Sequence, residues 1–473
     1  LSSICGFSLA KRLSRVLGAK LGIACGVFIG LVKHLLARRS VNRRSFVQHV
    51  VAFNALPATA CSAYAALWEP QESYRVAGWL DVFPLSWKRS LPSLLREVCL
   101  ATSDIASGKL SSALERYTRA LNRLASRIVG LAATPREHIR SGCLAGCAQV
   151  LVTNARPQAL DVARELDRGS PFFAPHAEAV RATYHLYRGE VHRAAMHRER
   201  AERLAFCGGA SWSAMSLLTT RWVISCVITG DTVGLIRALA DLERLASLSP
   251  GLATLYELGQ AHLEQLRGHA ARALPIYDRV LRTAQARSMP TYAIERAFHA
   301  RALSAVGDHV GARDLCLSLL REVTITGHDS DVSHVVSHEQ YALAEASLGN
   351  HRRAVEILDA GFERANLSGN PLWLGLLHRA GAQAAKLAGD TRCFSEHCAA
   401  MRAHFTATEN PYLIQQCDEM RTQEHSWLDA LAPPLGDTSV DHVAETLVEQ
   451  PACGMDTVEE IGPTASMPAP PGE

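Results

Sequence analysis

The sequence lacks the short motifs that mark phosphoryl transfer, dinucleotide binding and zinc hydrolysis. In 473 residues there is no G-x-x-x-x-G-K-[ST] loop, no G-x-G-x-x-G turn, no H-E-x-x-H and no H-R-D or D-F-G signature. The chain is therefore expected to be no enzyme of the kinase, P-loop or hydrolase kind, and to hold no cofactor. Aromatics are scarce at 6%, β-branched runs are short, and no alternating pattern suggests strands. Long apolar runs are missing too. The nearest is Leu21 to Val32, twelve uncharged residues between Lys20 and Lys33. As a helix it would reach about 18 Å at roughly 1.5 Å per residue, short of a hydrocarbon core of about 30 Å. It suits a buried capping helix, an interfacial helix on anionic lipid, or the apolar part of a signal peptide, although no small-residue cleavage site follows closely.

Each end of the chain lacks charge of one sign. Residues 1–50 hold nine Lys or Arg and no Asp or Glu, whereas residues 429–473 hold nine acidic side chains and no Lys or Arg. The net charge of +3 conceals this separation, which points to partner or surface contacts rather than catalysis. Seven prolines follow Trp427 among acidic and small residues, and such a tail buries too little apolar surface to fold alone. The chain opens on Leu1 rather than methionine, so a fragment or a processed product is expected.

No cysteine framework is apparent. Thirteen cysteines, an odd number, are scattered along the chain and read as small core residues in a reducing, cytoplasmic compartment. Three pairs have helical spacing suited to metal chelation: His334 with His338, near Asp331 and Glu339; Cys393 with His397, beside Cys398; and Cys143 with Cys147. Each supplies two or three ligands where a structural zinc takes four, so no metal is expected. Glu257, Glu264, Asp278 and Glu295 fall in successive helices and read as solvated charges. Basic residues near an aromatic occur weakly at Trp87, Lys88 and Arg89, and again at Arg198, Arg200 and Arg203. They make a poor case for nucleic acid.

What the chain does have is a repeat. Gly108, Asn154, Gly189, Gly230, Gly268, Gly307, Gly349 and Gly389 recur at intervals of 35 to 46 residues. Seven residues before these markers lie Ala101, Cys147, Ala182, Val223, Ala261, Ala300, Ala342 and Ala382; five after them lie Ala113, Ala159, Ala194, Leu235, Ala273, Ala312, Ala354 and Phe394. Six of eight are alanine in each column, although alanine is only 71 of 473 residues, so chance would place about one. Small residues flanking a turn are what two antiparallel helices need if their backbones are to cross closely. The glycine supplies the left-handed conformation that ends the first helix. Beyond it, Ala113, Tyr117 and Leu121, or Ala273, Tyr277 and Leu281, run at helical spacing along one stripe. In five units the next residue is Glu190, Asp231, Asp308, Asn350 or Asp390, each able to accept from the N–H groups that open the second helix.

The phrase Leu348-Gly349-Asn350-His351-Arg352-Arg353-Ala354 resembles the tetratricopeptide repeat, with its small residue in the first helix, Gly-Asp or Gly-Asn at the turn, and Ala then an aromatic in the second. The likeness covers roughly residues 95–405. It implies an all-α, right-handed superhelical solenoid of about eight helix pairs, each longer than the family's 34-residue unit. The array ends with Asn370-Pro371-Leu372-Trp373 and Glu409-Asn410-Pro411-Tyr412-Leu413-Ile414. That ending is similar to the regulatory arms of bacterial multidomain kinase and ATPase signalling proteins.

The expected organisation is a basic segment over 1–50, atypical capping helices over 51–94, the repeats over 95–428 and an acidic, proline-rich, disordered tail over 429–473. Such an array offers a concave groove to a peptide or partner domain. Tyr184, Arg221, Trp222, Tyr256, Tyr292, His299 and Tyr341 are the candidate groove residues. If the chain is a sensor arm, its occupant would shift an attached upstream ATPase or kinase. The alternatives are a membrane-surface adaptor acting through residues 1–50 and an enzyme on a helical scaffold. The latter requires a tight cluster of titratable groups in a deep pocket.

Overall fold

The computed structural model describes residues 91–431, apart from the connections at 127–132, 170–172, 209–211, 247–249, 284–285, 287–290 and 327–329. The basic segment, most of the expected capping region and nearly all of the acidic tail lie outside the described residues. Leu428–Glu473 separates from the rest of the chain as its own unit.

Seventeen helices, and no strand, occur among the described residues. They are α1 (Leu91–Ala106), α2 (Leu110–Ala125), α3 (Ala133–Thr153), α4 (Gln158–Asp167), α5 (Ala174–Tyr187), α6 (Val191–Gly208), α7 (Trp212–Thr229), α8 (Thr232–Ala246) and α9 (Pro250–Leu266). There follow α10 (Ala270–Leu281), α11 (Tyr292–Ala305), α12 (His309–Thr326), α13 (Asp331–Ser347), α14 (His351–Asn366), α15 (Pro371–Ala388), α16 (Thr391–Thr406) and α17 (Pro411–Leu431). They make eight antiparallel pairs and a closing helix.

The small-residue columns explain the pairing. Of the sixteen residues that flank the markers, fifteen have no exposed surface and Cys147 keeps only 5%. Seven of the eight pairs place a flanking alanine with no exposure at the crossing, as close backbone approach demands, and the fourth pair buries Val223 and Leu235 there instead. Seven markers are glycines with φ between 70° and 89°, in the left-handed region. The second unit differs: there Ala155, one residue after Asn154, takes the positive φ of 46°. Of the five residues expected to cap second helices, Asp231, Asp308 and Asp390 accept from the backbone N–H three residues on, at 2.6, 2.8 and 2.9 Å. Glu190 turns instead to His185 and Arg188, and the Asn350 amide donates to Glu345.

Odd-numbered helices from α1 to α13 each touch the next odd-numbered one. Even-numbered helices pack chiefly on their own partner and on the first helix that follows. The first helices therefore line the inside of the curve. Their burial agrees: α11 and α13 are buried on several faces, whereas α14 buries the single stripe Ala354, Ile357, Leu358, Gly361 and Ala365.

The curve closes on itself. Asn370 caps α15, its Oδ1 accepting from Leu372 N at 3.0 Å, while its Nδ2 donates to the Tyr187 carbonyl at the end of α5, 2.8 Å away. Asn410 repeats the device, accepting from Tyr412 N and donating to the Gly189 carbonyl at 3.2 Å. One unit earlier, the Asp331 N–H donates to Asn154 Oδ1 at 2.9 Å, and Asp331 pairs with Arg156 and Arg364. Units two to four thus meet units seven to nine, and one superhelical turn takes about five units. At each junction the carbonyl-bearing end of one helix faces the N–H-bearing end of another, so opposite ends of their macrodipoles meet.

Candidate functional site

The inward faces of the first helices are mainly small and apolar, and a few polar side chains interrupt them at a fixed register. His262 and Arg301 stand six residues before their turn glycines, and Glu339 and Arg379 ten before theirs; residues four apart share one helix face. Arg379 joins its neighbours on either side. Its Nη2 donates to Glu339 Oε1 at 2.5 Å and its Nη1 to Gln416 Oε1 at 2.6 Å. Gln416 then donates from Nε2 to the Thr229 carbonyl at 2.7 Å, reaching the end of α7 across the superhelical turn.

Arg301 begins this row from α11 and is half-buried. It feels the charges of Arg379 and Glu339, yet among the described residues no carboxylate lies within ion-pair distance of it. Burial, and then the neighbouring Arg379, push its guanidinium below the usual arginine value, with Glu339 and Tyr277 acting the other way.

Beneath the row lies a sealed cluster. His262, Tyr277 and Glu295 are all without exposed surface. His262 Nδ1 lies 2.6 Å from Tyr277 OH, which donates to Gln265 Oε1 at 3.1 Å, so the imidazole must donate at Nδ1. Its Nε2 lies 2.8 Å from Glu295 Oε2, close but not aligned as a hydrogen bond. Burial, followed by the Glu295 charge, drives the Tyr277 hydroxyl well above its ordinary pKa. Glu295 is thus no solvated charge, contrary to the expectation from sequence, because α11 turns it toward α9. Glu257, Glu264 and Asp278 pair with Arg279, Arg267 and Arg282 respectively.

The seven candidate groove residues are spread over five first helices. Tyr184, Arg221, Trp222 and Tyr341 are buried. Arg221 donates to Tyr187 OH at 3.0 Å and to Thr153 Oγ1 at 3.4 Å. Trp222 lies under the Arg198 guanidinium at 4.8 Å, and Arg188 stands over Tyr184 at 5.7 Å. Tyr256, Tyr292 and His299 are half-buried; Arg296 covers Tyr292 at 5.7 Å, and His299 stacks on Tyr277 at 5.4 Å. The row of Arg301, Glu339, Arg379 and Gln416 escaped the sequence reading. Its one signal was register: Glu339 and Arg379 stand ten residues before their turn glycines, where the earlier units carry Val98, Leu144, Ala179, Thr220, Leu258 and Ala297.

His338, Glu339 and His397 are engaged elsewhere, His397 Nδ1 lying 3.0 Å from His378 Nδ1. His338 Nδ1 lies 2.8 Å from the His334 carbonyl, Glu339 binds Arg379, and Cys143 and Cys147 are buried. Among the described residues, no group of three or more His, Cys, Asp or Glu is placed to hold a metal ion. Nor is any helix among them long and apolar enough to cross a membrane. Of the basic residues weighed for nucleic acid, Arg198 pairs with Glu202 and Asp241, and Arg203 with Glu199.

These features define an all-α solenoid of tetratricopeptide-like helix pairs wound through a closed turn. Solved structures agree. The chain is similar to a Rap protein in its crystal structure complexed with competence and sporulation factor, at a TM-score of 0.50 and 13% identity, over 72% of this chain and 94% of that one. At that identity the likeness concerns the fold alone. No family model matches the sequence, and no curated protein matches it.

Proposed function

We propose that this chain is a protein-interaction scaffold that receives a peptide or a segment of a partner protein along the inner face of its first helices. One observation carries the reading: the inner face gathers charged and amide side chains from four successive first helices into one row. A solenoid built only for support would fill that face with apolar residues, because every buried polar group must be matched at some cost. The neighbour of the same fold, crystallised with competence and sporulation factor, supports a binding role for a scaffold of this kind.

The sealed His262–Tyr277–Glu295 cluster supports the same reading over an enzyme. It is the kind of titratable group that catalysis employs, but with no surface open to solvent it acts as a strut between α9, α10 and α11. The finer reading is that the array is a sensor arm of a longer kinase- or ATPase-linked regulator. It draws on the two Asn-Pro steps, which in this fold also serve as caps and cross-turn ties.

Selection of a random dodecapeptide display library against the full chain tests the scaffold reading. Enriched peptides should slow hydrogen exchange in α9, α11, α13 and α15. A selection that yields none, or peptides that protect only the outer helices, would falsify it.

A further inference from the structure

Among the described residues, Arg301 is a cation without an anion. Its side chain is half-buried on the inner face, and among the described residues it makes neither hydrogen bond nor ion pair. The nearest acid it feels, Glu339, is already held by Arg379 at 2.5 Å. Two guanidinium groups therefore share one carboxylate, and one positive charge is left over in a confined place. Such a charge is costly to keep out of bulk water unless something supplies the counter-charge. Another buried cation, Arg221, is accommodated by Tyr187 OH and Thr153 Oγ1; among the described residues Arg301 has no such partners. A planar guanidinium with its donors unspent is matched by a carboxylate, which accepts two parallel N–H bonds.

We infer that Arg301 is the anchor of an acidic ligand: the inner groove takes a peptide whose Asp, Glu or terminal carboxylate seats on Arg301 beside the Arg379–Glu339 pair. This inference deepens the scaffold reading and rests on it. The arrangement of charge also sets a direction. Glu339 repels a second carboxylate on the α13 side, so the acidic residue of the peptide sits over α11, and neutral or basic residues follow toward α13.

Peptides from the dodecapeptide selection are labelled with fluorescein and titrated against the full chain by fluorescence anisotropy, in wild type and in Arg301→Gln and Arg301→Lys. The enriched set should carry Asp, Glu or a free C-terminus at one fixed position. Arg301→Gln should weaken binding by about 10- to 100-fold, the worth of a charge-assisted hydrogen bond. Arg301→Lys, which keeps the charge but loses the fork, should fall between. Thermal melts of Arg301→Gln should match or exceed wild type, since the change removes an unpaired cation, and this separates lost binding from lost folding. Enriched peptides without an acidic position, or an acidic preference that survives Arg301→Gln, would overturn the anchor and leave the groove standing. No enrichment at all would remove both readings. Free inorganic phosphate displacing the peptide at lower concentration than succinate would overturn the assignment to a carboxylate.

Discussion

At the scale of single residues, the columns of alanine and the turn glycines bear the most demanding geometry, and they do so for different reasons. Ala312 and Ala354 have no exposed surface where two helices cross. Leucine at either site should overpack the crossing and lower stability by about 1 to 3 kcal/mol, measured by chemical denaturation. Gly349, with φ of 82°, has open space around the position of a Cβ, so Gly349→Ala pays only for the left-handed backbone, about 1 kcal/mol. At Gly189, with φ of 80°, a Cβ would also meet Thr408 at 3.0 Å. Gly189→Ala should therefore cost more than Gly349→Ala, and equal losses would mean that the contact with Thr408 is not formed. Glu190 adds a pH dependence. Burial raises its carboxyl, but hydrogen bonds from His185 and Arg188 outweigh that and hold it down to about 2. Because the folded value lies below the unfolded one, its contribution is complete above the ordinary carboxylate range and is lost as pH falls through about 2. Thermal melts between about pH 5 and 2 should show wild type losing more stability than Glu190→Gln.

At the scale of helices, the boundaries and the pairing were legible in the sequence because every unit must satisfy the same crossing, so one demand was written eight times. The second unit shows where that legibility ends: the period placed its marker at Asn154, but the positive φ fell on Ala155. Asn154 is spent on accepting from Asp331, 177 residues away, a use that a period of 40 residues cannot reveal. The inner row was hidden for a related reason. Arg301, Glu339 and Arg379 are single departures from a repeated pattern, and only their meeting across three helices gives them meaning. The caps divide the same way. Asp390 serves its own helix alone, and Asp390→Ala should cost about 1 kcal/mol. Asn370 serves two helices, accepting from Leu372 and donating to Tyr187. Asn370→Asp keeps the acceptor and removes the donor, leaving a buried carbonyl unmatched. It should cost about 1 to 3 kcal/mol despite the favourable charge at a helix N-terminus, and a melt unchanged from wild type would show that the tie to α5 contributes nothing.

At the scale of the whole array, the closed turn changes what kind of solid this is. In an open solenoid each unit contacts only its neighbours, stability is a sum of local terms, and losing one end leaves distant units as they were. Here the ends of α5 and α7 are held from the other side by Asn370, Asn410 and Gln416, so units three and four depend on helices about five units further along. Removing residues 370–431 separates the two cases. Nearest-neighbour coupling alone would expose α13 and α14 and nothing earlier. With the turn closed, the truncation also strips the carbonyls of Tyr187, Gly189 and Thr229 of their donors. Amide exchange in the last turns of α5 and α7 should then rise by about tenfold or more, the equivalent of roughly 1.4 kcal/mol of lost protection. The same coupling bears on binding. An occupant that seats on α11 to α15 presses on helices tied to α5 and α7, so it should slow exchange at the ends of those two helices as well as beneath itself. If peptide binding protected the inner face while α5 and α7 exchanged as in the empty protein, the two halves of the turn would be moving independently, and the ring of ties would be structural only.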